Sequence, residues 1–243
     1  MTIADPAFRI PEQMALVRGE VYLWRVDLAA VSTEGSRWQQ LLSHDERTRA
    51  SRYRSARDGQ YFAATRGLLR TILASYVDSN PQRLVFQYSE KGKPFLDTSS
   101  PETRVEFNVS HSGATALLVF ARERDLGVDV EEIRENFNHK AIARRFFSEH
   151  EQRQLAELDP ADRCEGFFRC WTRKEAYIKA KGIGLALPLR DFDVSVLRGD
   201  HEAMLATRPD GAEAPQWSLR EVPVGSGYVA AVCVAGRGWV LRS

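Results

Sequence analysis

The spacing of apolar positions changes several times along the chain, and each change marks an element. Residues before Gly19 show no clear period and read as an N-terminal arm. Val21–Asp27 (VYLWRVD) is rich in β-branched and aromatic residues and predicts a strand. A polar helical region follows from Trp38 to about Arg54. Tyr61, Phe62, Thr65, Leu68, Leu69, Ile72 and Tyr76 then line one face of a long helix, which Asn80-Pro81 terminates. Short strands are predicted at 84–88, 104–108, 115–121 and 127–131. Two tight segments interrupt them, Lys91-Gly92-Lys93-Pro94 and the strand-to-turn passage Asn108–Gly113. Helices are predicted again around 140–147, after Ser148 and over 161–181. Ser148 with Glu151 forms a capping-box pattern, and Gly182 is a stop signal. Strands at 191–197, 217–221 and 228–234 complete the chain. Residues 112–121 echo residues 226–235 with four identities in ten, which fits two similar α+β halves. No low-complexity linker separates them, so the expected organisation is an arm (1–19), a first half (20–124) and a second half (125–243) packed tightly together.

Composition narrows the class. The 243 residues suit one large domain or two small ones, and 43% apolar with 28% charged residues is ordinary for a globular chain. A net charge of +1 argues against a nucleic-acid-coating protein. Cys164, Cys170 and Cys233 form no C-x-x-C pair, so neither a disulfide framework nor a cysteine zinc site is indicated and a cytoplasmic setting is expected. The longest uncharged stretch, Val222–Gly236, has 15 residues and three glycines, too short and too broken to span a bilayer. Charge is unevenly placed. Residues 37–70 hold eight arginines and three acids, and residues 121–165 hold twelve acids and eight bases. A basic half facing an acidic half suits a site holding a metal and a polyphosphate together; two solvated helix faces would give the same counts.

Four segments can carry chemistry. In Gly127-Val-Asp-Val-Glu, a strand puts Asp129 and Glu131 on one face about 7 Å apart, able to share a hard cation. A solvent-facing strand gives the same alternation. In WTRKEAYIK, Trp171, Glu175 and Lys179 stack at a spacing of four. Glu175 can complete a three-carboxylate set and Lys179 can meet a phosphate oxygen, or the two can form an ordinary surface pair. Asn108-Val-Ser110-His111-Ser112-Gly113 offers hydroxyl, imidazole and backbone N–H groups to an anion; a Ser–His nucleophile pair does not fit adjacent residues. Lys91-Gly92-Lys93-Pro94 is a stiff basic turn.

Taken in order, G-K-P, N-V-S-H-S-G, G-V-D-V-E, F-F-S-x-x-E (Phe146–Glu151) and W-T-R-K-E-A-Y-I-K resemble the 4′-phosphopantetheinyl transferases of the surfactin-synthetase-activating type, in the subgroup with a W-x-x-K-E-A signature. The resemblance covers about residues 41–236. It implies two α+β subdomains related by a pseudo-twofold, acting as a monomer, with coenzyme A in the cleft between them. It also implies transfer of the phosphopantetheine arm to a serine of an apo acyl or peptidyl carrier protein, releasing adenosine 3′,5′-bisphosphate. By the same resemblance Asp129, Glu131 and Glu175 are magnesium ligands, and Asp129, Glu175 and Lys179 carry catalysis, with Glu175 or a water as general base. Arg49, Gly92, Lys93, Pro94, Ser110, His111, Lys174 and Lys179 are the implied coenzyme A contacts. Where some members have a second base three positions before Arg49, this chain has Glu46, so Arg66 or Arg52 is a substitute. Arg134, Phe137, Lys140 and Arg144 follow the D-x-E strand and are expected to face an acidic carrier. Nucleic-acid and membrane partners are not expected. The rival readings are a metal-dependent nuclease, which shares the carboxylate-and-lysine set, and a non-catalytic coenzyme A binder.

Overall fold

The computed structural model describes residues 1–5, 7–96, 104–200 and 203–243. The first part runs β1 (Thr2–Ile3), β2 (Glu20–Asp27), α1 (Leu28–Val31), α2 (Gly35–Leu41), α3 (His44–Ser51), the long α4 (Ala56–Tyr76), β3 (Phe86–Tyr88), β4 (Pro94–Leu96), β5 (Val105–Ser112) and β6 (Thr115–Arg122). The second runs β7 (Leu126–Glu132), α5 (His139–Phe146), α6 (Glu149–Glu157), the long α7 (Arg163–Lys181), β8 (Phe192–Val194), β9 (Met204–Thr207), β10 (Trp217–Glu221), β11 (Tyr228–Ala235) and β12 (Val240–Arg242). The polar helical region expected from 38 to 54 is thus two short helices, and Asn108–Ser112 continues a strand rather than entering a turn.

Two antiparallel sheets carry the fold. In one, β6 lies between β2 and β5; in the other, β11 lies between β10 and β7. The side chains of β6 alternate between two cores. Leu118 and Phe120 meet Leu68, Leu69 and Ile72 of α4, while Leu117, Val119 and Ala121 turn to the other sheet. β11 does the same: Ala231 and Cys233 pack with Ala176 and Tyr177 of α7, and Ala230, Val232 and Val234 face the first sheet. The layers are therefore α4, sheet, sheet, α7. A strand buried on both faces needs an unbroken apolar run, and each Leu, Val or Phe so buried contributes about 1.5–3 kcal/mol. The echo between residues 112–121 and 226–235 is the trace of this shared position, a glycine turn feeding a doubly buried central strand. The architecture is the expected α+β class.

The chain ends depart from expectation. β1 and β12 both run parallel to β2 on its outer edge, β1 beside Arg25 and Val26, β12 beside Glu20–Tyr22. The first residues of the N-terminal arm are held by this edge: Ile3 is buried and the Met1 amine donates to the Leu23 carbonyl at 2.9 Å. Likewise the last strand joins the first sheet, not the second half. Strands of two or three residues are too short to show a period; the edge of β2 orders them. Among the described residues no helix is long and apolar enough to cross a membrane.

Candidate active site

β7 carries the two carboxylates, and β5 holds β7. The two strands belong to different sheets, yet they are joined by side chains of β5 that bond the free backbone edge of β7. Asn108 Oδ1 accepts from the Val128 N–H at 3.0 Å, Ser110 Oγ from the Val130 N–H at 3.4 Å, and Ser112 Oγ from the Glu132 N–H at 3.1 Å. The period of two puts all three on one face of β5. The serines then donate to the intervening carboxylates, Ser110 to Asp129 Oδ1 at 2.7 Å and Ser112 to Glu131 Oε2 at 2.9 Å.

α7 brings the third acid and the cation. It can lie close to β7 because Gly127 has no side chain: a Cβ there would stand 2.2 Å from the Ala176 carbonyl oxygen. Trp171 packs with Phe147 and Phe167 and anchors the helix. One turn on comes Glu175, and another turn on comes Lys179, whose Nζ donates to Asp129 Oδ1 at 2.6 Å, Ser110 Oγ at 3.0 Å and the Val128 carbonyl at 3.3 Å. Gly182 closes the helix in the left-handed conformation, its N–H donating to the Ile178 and Lys179 carbonyls.

The three acids act on one another electrostatically. Burial, then the charge of Asp129, pushes Glu175 up to about 7; Lys179 opposes the shift and Glu131 adds to it. Glu131 is raised by burial and by Asp129. Asp129 Oδ2 is buried and has no hydrogen-bond partner. Among the described residues no group of three or more His, Cys, Asp or Glu side chains is placed to hold a metal ion. The three expected ligands are thus not gathered into a metal site among the described residues, and the cation that meets Asp129 is the Lys179 ammonium.

Across from this cluster is the basic turn between β3 and β4, with Gly92 at a φ of +85°. Gly92, Lys93 and Pro94 line a cleft of about 200 Å³ with Asn108, Ile178 and Lys179, so the turn of the first half faces the end of α7. His111 lies on the opposite face of β5 from Ser110. Its ring reaches the surface, but the protein packed around it, then the charge of Lys179, lowers its pKa; Arg49 acts in the same direction. Arg49 is exposed, its guanidinium over the Phe62 ring. A larger cavity of about 760 Å³ is lined by arginines 144, 153, 190 and 208; of the expected residues it includes the carrier-facing Arg144 and none of the catalytic, metal or coenzyme A contacts.

Three of the implied contacts are engaged by protein partners. Lys174 is fully buried, paired with Glu151 at 2.7 Å and bonded to the Leu189 and Phe192 carbonyls at 2.5 and 2.7 Å. It closes the interior of the second half and reaches no ligand. Ser110 has its one O–H and both lone pairs engaged by Asp129, Val130 and Lys179. Lys93 donates to the Leu126 and Ala180 carbonyls at 3.2 and 3.0 Å, so its ammonium latches the turn to the second half, and burial lowers its pKa. Glu46 is also explained: it is buried, caps α3 and binds Arg66 and Arg70, which ties Arg66 to a structural partner. Phe137 turns into the Phe167 and Phe168 cluster, leaving Lys140 and Arg144 exposed. Asn108 and Ser112 stand in the segment the sequence singled out but had no role of their own there; the N-x-S-x-S alternation was the available signal.

A two-sheet fold with carboxylates on one strand, an acid and a lysine on the facing helix and a basic turn opposite defines an enzyme built for phosphate chemistry. Sequence comparison gives its kind. The profile described as 4′-phosphopantetheinyl transferase superfamily matches residues 125–233, and that described as 4′-phosphopantetheinyl transferase, N-terminal, matches residues 30–123. The 4′-phosphopantetheinyl transferase HetI of Nostoc is 37% identical over 94% of this chain and 93% of its own. The 4′-phosphopantetheinyl transferase Sfp of Bacillus subtilis is 27% identical over 89% of this chain and 92% of its own. Among solved structures, the holo-[acyl-carrier-protein] synthase of Thermotoga maritima aligns with a TM-score of 0.37 and 23% identity, covering 46% of this chain and 63% of that one. The chain belongs to the 4′-phosphopantetheinyl transferase family and is an enzyme of that class.

Proposed function

We propose that the protein moves the 4′-phosphopantetheine arm of coenzyme A onto a serine hydroxyl of an apo acyl or peptidyl carrier protein, with magnesium, as a cytoplasmic monomer. The Trp171, Lys174, Glu175, Ala176 signature supports the surfactin-synthetase-activating subgroup. In the reaction the serine oxygen bonds to the pyrophosphate phosphorus that bears the pantetheine. The bond from that phosphorus to the bridging oxygen breaks, adenosine 3′,5′-bisphosphate leaves, and the serine proton passes to a base.

The observation that carries this reading is Asp129. One of its oxygens is held by Ser110 and Lys179, and the other is buried and bare. A bare buried carboxylate oxygen is costly unless something completes it. With Glu131 and Glu175 beside it, the donor set is three hard oxygen ligands that repel one another, which fits a small divalent cation. Asp129, Glu131 and Glu175 would hold the ion, which supplies charge neutralisation for the pyrophosphate oxygens. Lys179 sits where it can exchange its Asp129 partner for a phosphate oxygen, and Glu175, raised toward neutrality, is suited to hold a proton. Gly92 and Pro94 line the cleft assigned to the nucleotide end, and Arg49 and His111 remain as its other implied contacts.

The test is intact-mass analysis of an apo carrier protein incubated with the enzyme, coenzyme A and magnesium. One added phosphopantetheine is expected, lost with EDTA and reduced about 10³-fold or more in Asp129→Ala. Full turnover by Asp129→Ala would overturn the metal-assisted scheme.

A further inference from the structure

The three rungs between β5 and β7 are alike in their backbone bond and unlike in what else they do. Asn108 bonds the Val128 N–H only, because the residue before Val128 is Gly127, which has no side chain to hold. Ser110 and Ser112 each take the following N–H and also fix one oxygen of the carboxylate before it. The serine is the residue for this task. Its single donor reaches a carboxylate oxygen while a lone pair accepts the amide, so one side chain sets both the strand position and the acid's rotation. At Asp129 the outcome is visible: Oδ1 is committed, and Oδ2 is the oxygen left open.

From this we infer that Ser112 is a positioning residue for Glu131, as Ser110 is for Asp129, and that the alternating serines of the N-x-S-x-S segment preset the carboxylates for a divalent cation. The inference rests on the metal reading above. It assigns Ser112 a role through Glu131. Partners of this kind around metal ligands typically change affinity 10- to 100-fold when removed.

The experiment measures Mn²⁺ binding alone, by electron paramagnetic resonance of the free ion, with no coenzyme A or carrier present. The proteins are the wild type and the variants Ser112→Ala, Ser112→Thr and Asn108→Ala. Ser112→Ala is expected to weaken Mn²⁺ by about 10- to 100-fold. Ser112→Thr keeps the hydroxyl and is expected to hold affinity within about threefold, the smaller end of an outer-partner effect. Asn108→Ala breaks a rung without touching a carboxylate; it should lower the melting temperature and leave Mn²⁺ affinity within the same threefold margin. Wild-type affinity in Ser112→Ala, or an equal loss in Ser112→Ala and Asn108→Ala, would overturn the positioning role and leave the metal reading standing. A wild type that binds no Mn²⁺ would instead overturn the metal reading, and the positioning role with it.

Discussion

Glu46 stands where the family resemblance leads one to expect a base, and its surroundings show why an acid serves there. It is buried at the start of α3, binds Arg66, accepts from Arg70 Nε at 2.7 Å and closes the capping box with Ser43. Burial alone would raise its carboxyl, but Arg70, the Ser43 N–H and Arg66 outweigh it and hold the group below its ordinary value. A depressed carboxylate contributes stability above its unfolded value and loses it as pH falls through its folded value. Glu46→Gln is therefore expected to cost about 3–5 kcal/mol near pH 7, since Arg70 is left charged and buried. The gap between wild type and variant should close on acidification below pH 4.5, the ordinary value of the group. Urea unfolding across pH would show it, and a pH-independent gap would rule out the charge as its source.

At the scale of elements, α7 separates what a motif can say from what it cannot. Glu175 and Lys179 were legible because a spacing of four is one helical face, and the D-x-E alternation of β7 was legible because a period of two is one strand face. Lys174 is one residue from Glu175 and so about 100° around the helix; there it meets Glu151 in the interior instead of the cleft. No spacing rule marks such a lysine, because burial depends on the neighbouring helix. Lys174→Met is expected to lower stability by about 3–5 kcal/mol, the cost of leaving Glu151 without its partner. The KM for coenzyme A of the folded enzyme should stay within about twofold, since Lys174 is buried against Glu151. A raised KM at unchanged stability would return Lys174 to the site. Ser110 shows the other limit: a hydroxyl beside a histidine reads as an anion cradle until its three bonding positions are counted in space.

For the whole molecule, the core between the sheets decides how the halves relate. Val21, Leu23, Leu117, Val119 and Ala121 are covered by Val128, Val130, Ala230, Val232 and Val234, and β12 completes the first sheet from the far end of the chain. The echo between the two glycine-led strands made two halves legible from the sequence. It did not show that they share a core, because one apolar strand looks the same whether its second face meets a helix or a sheet. The protein should unfold in one transition, with tryptophan fluorescence and far-ultraviolet circular dichroism superimposing in urea. A fragment of residues 1–124 should aggregate, because it exposes the inner face of β2 and β6. Two separated transitions, or a soluble folded fragment, would show independent halves.

The side-chain rungs on β7 have a consequence in time as well as in space. Amides within a sheet are shielded by a neighbouring backbone and open only when strands part. Those of Val128, Val130 and Glu132 are shielded by three single side chains. Each becomes a separate clock for hydrogen–deuterium exchange, one per rung, sited one residue from the acids that define the active centre. The rate at which the Val130 and Glu132 amides exchange reports how often Ser110 and Ser112 release their carboxylates.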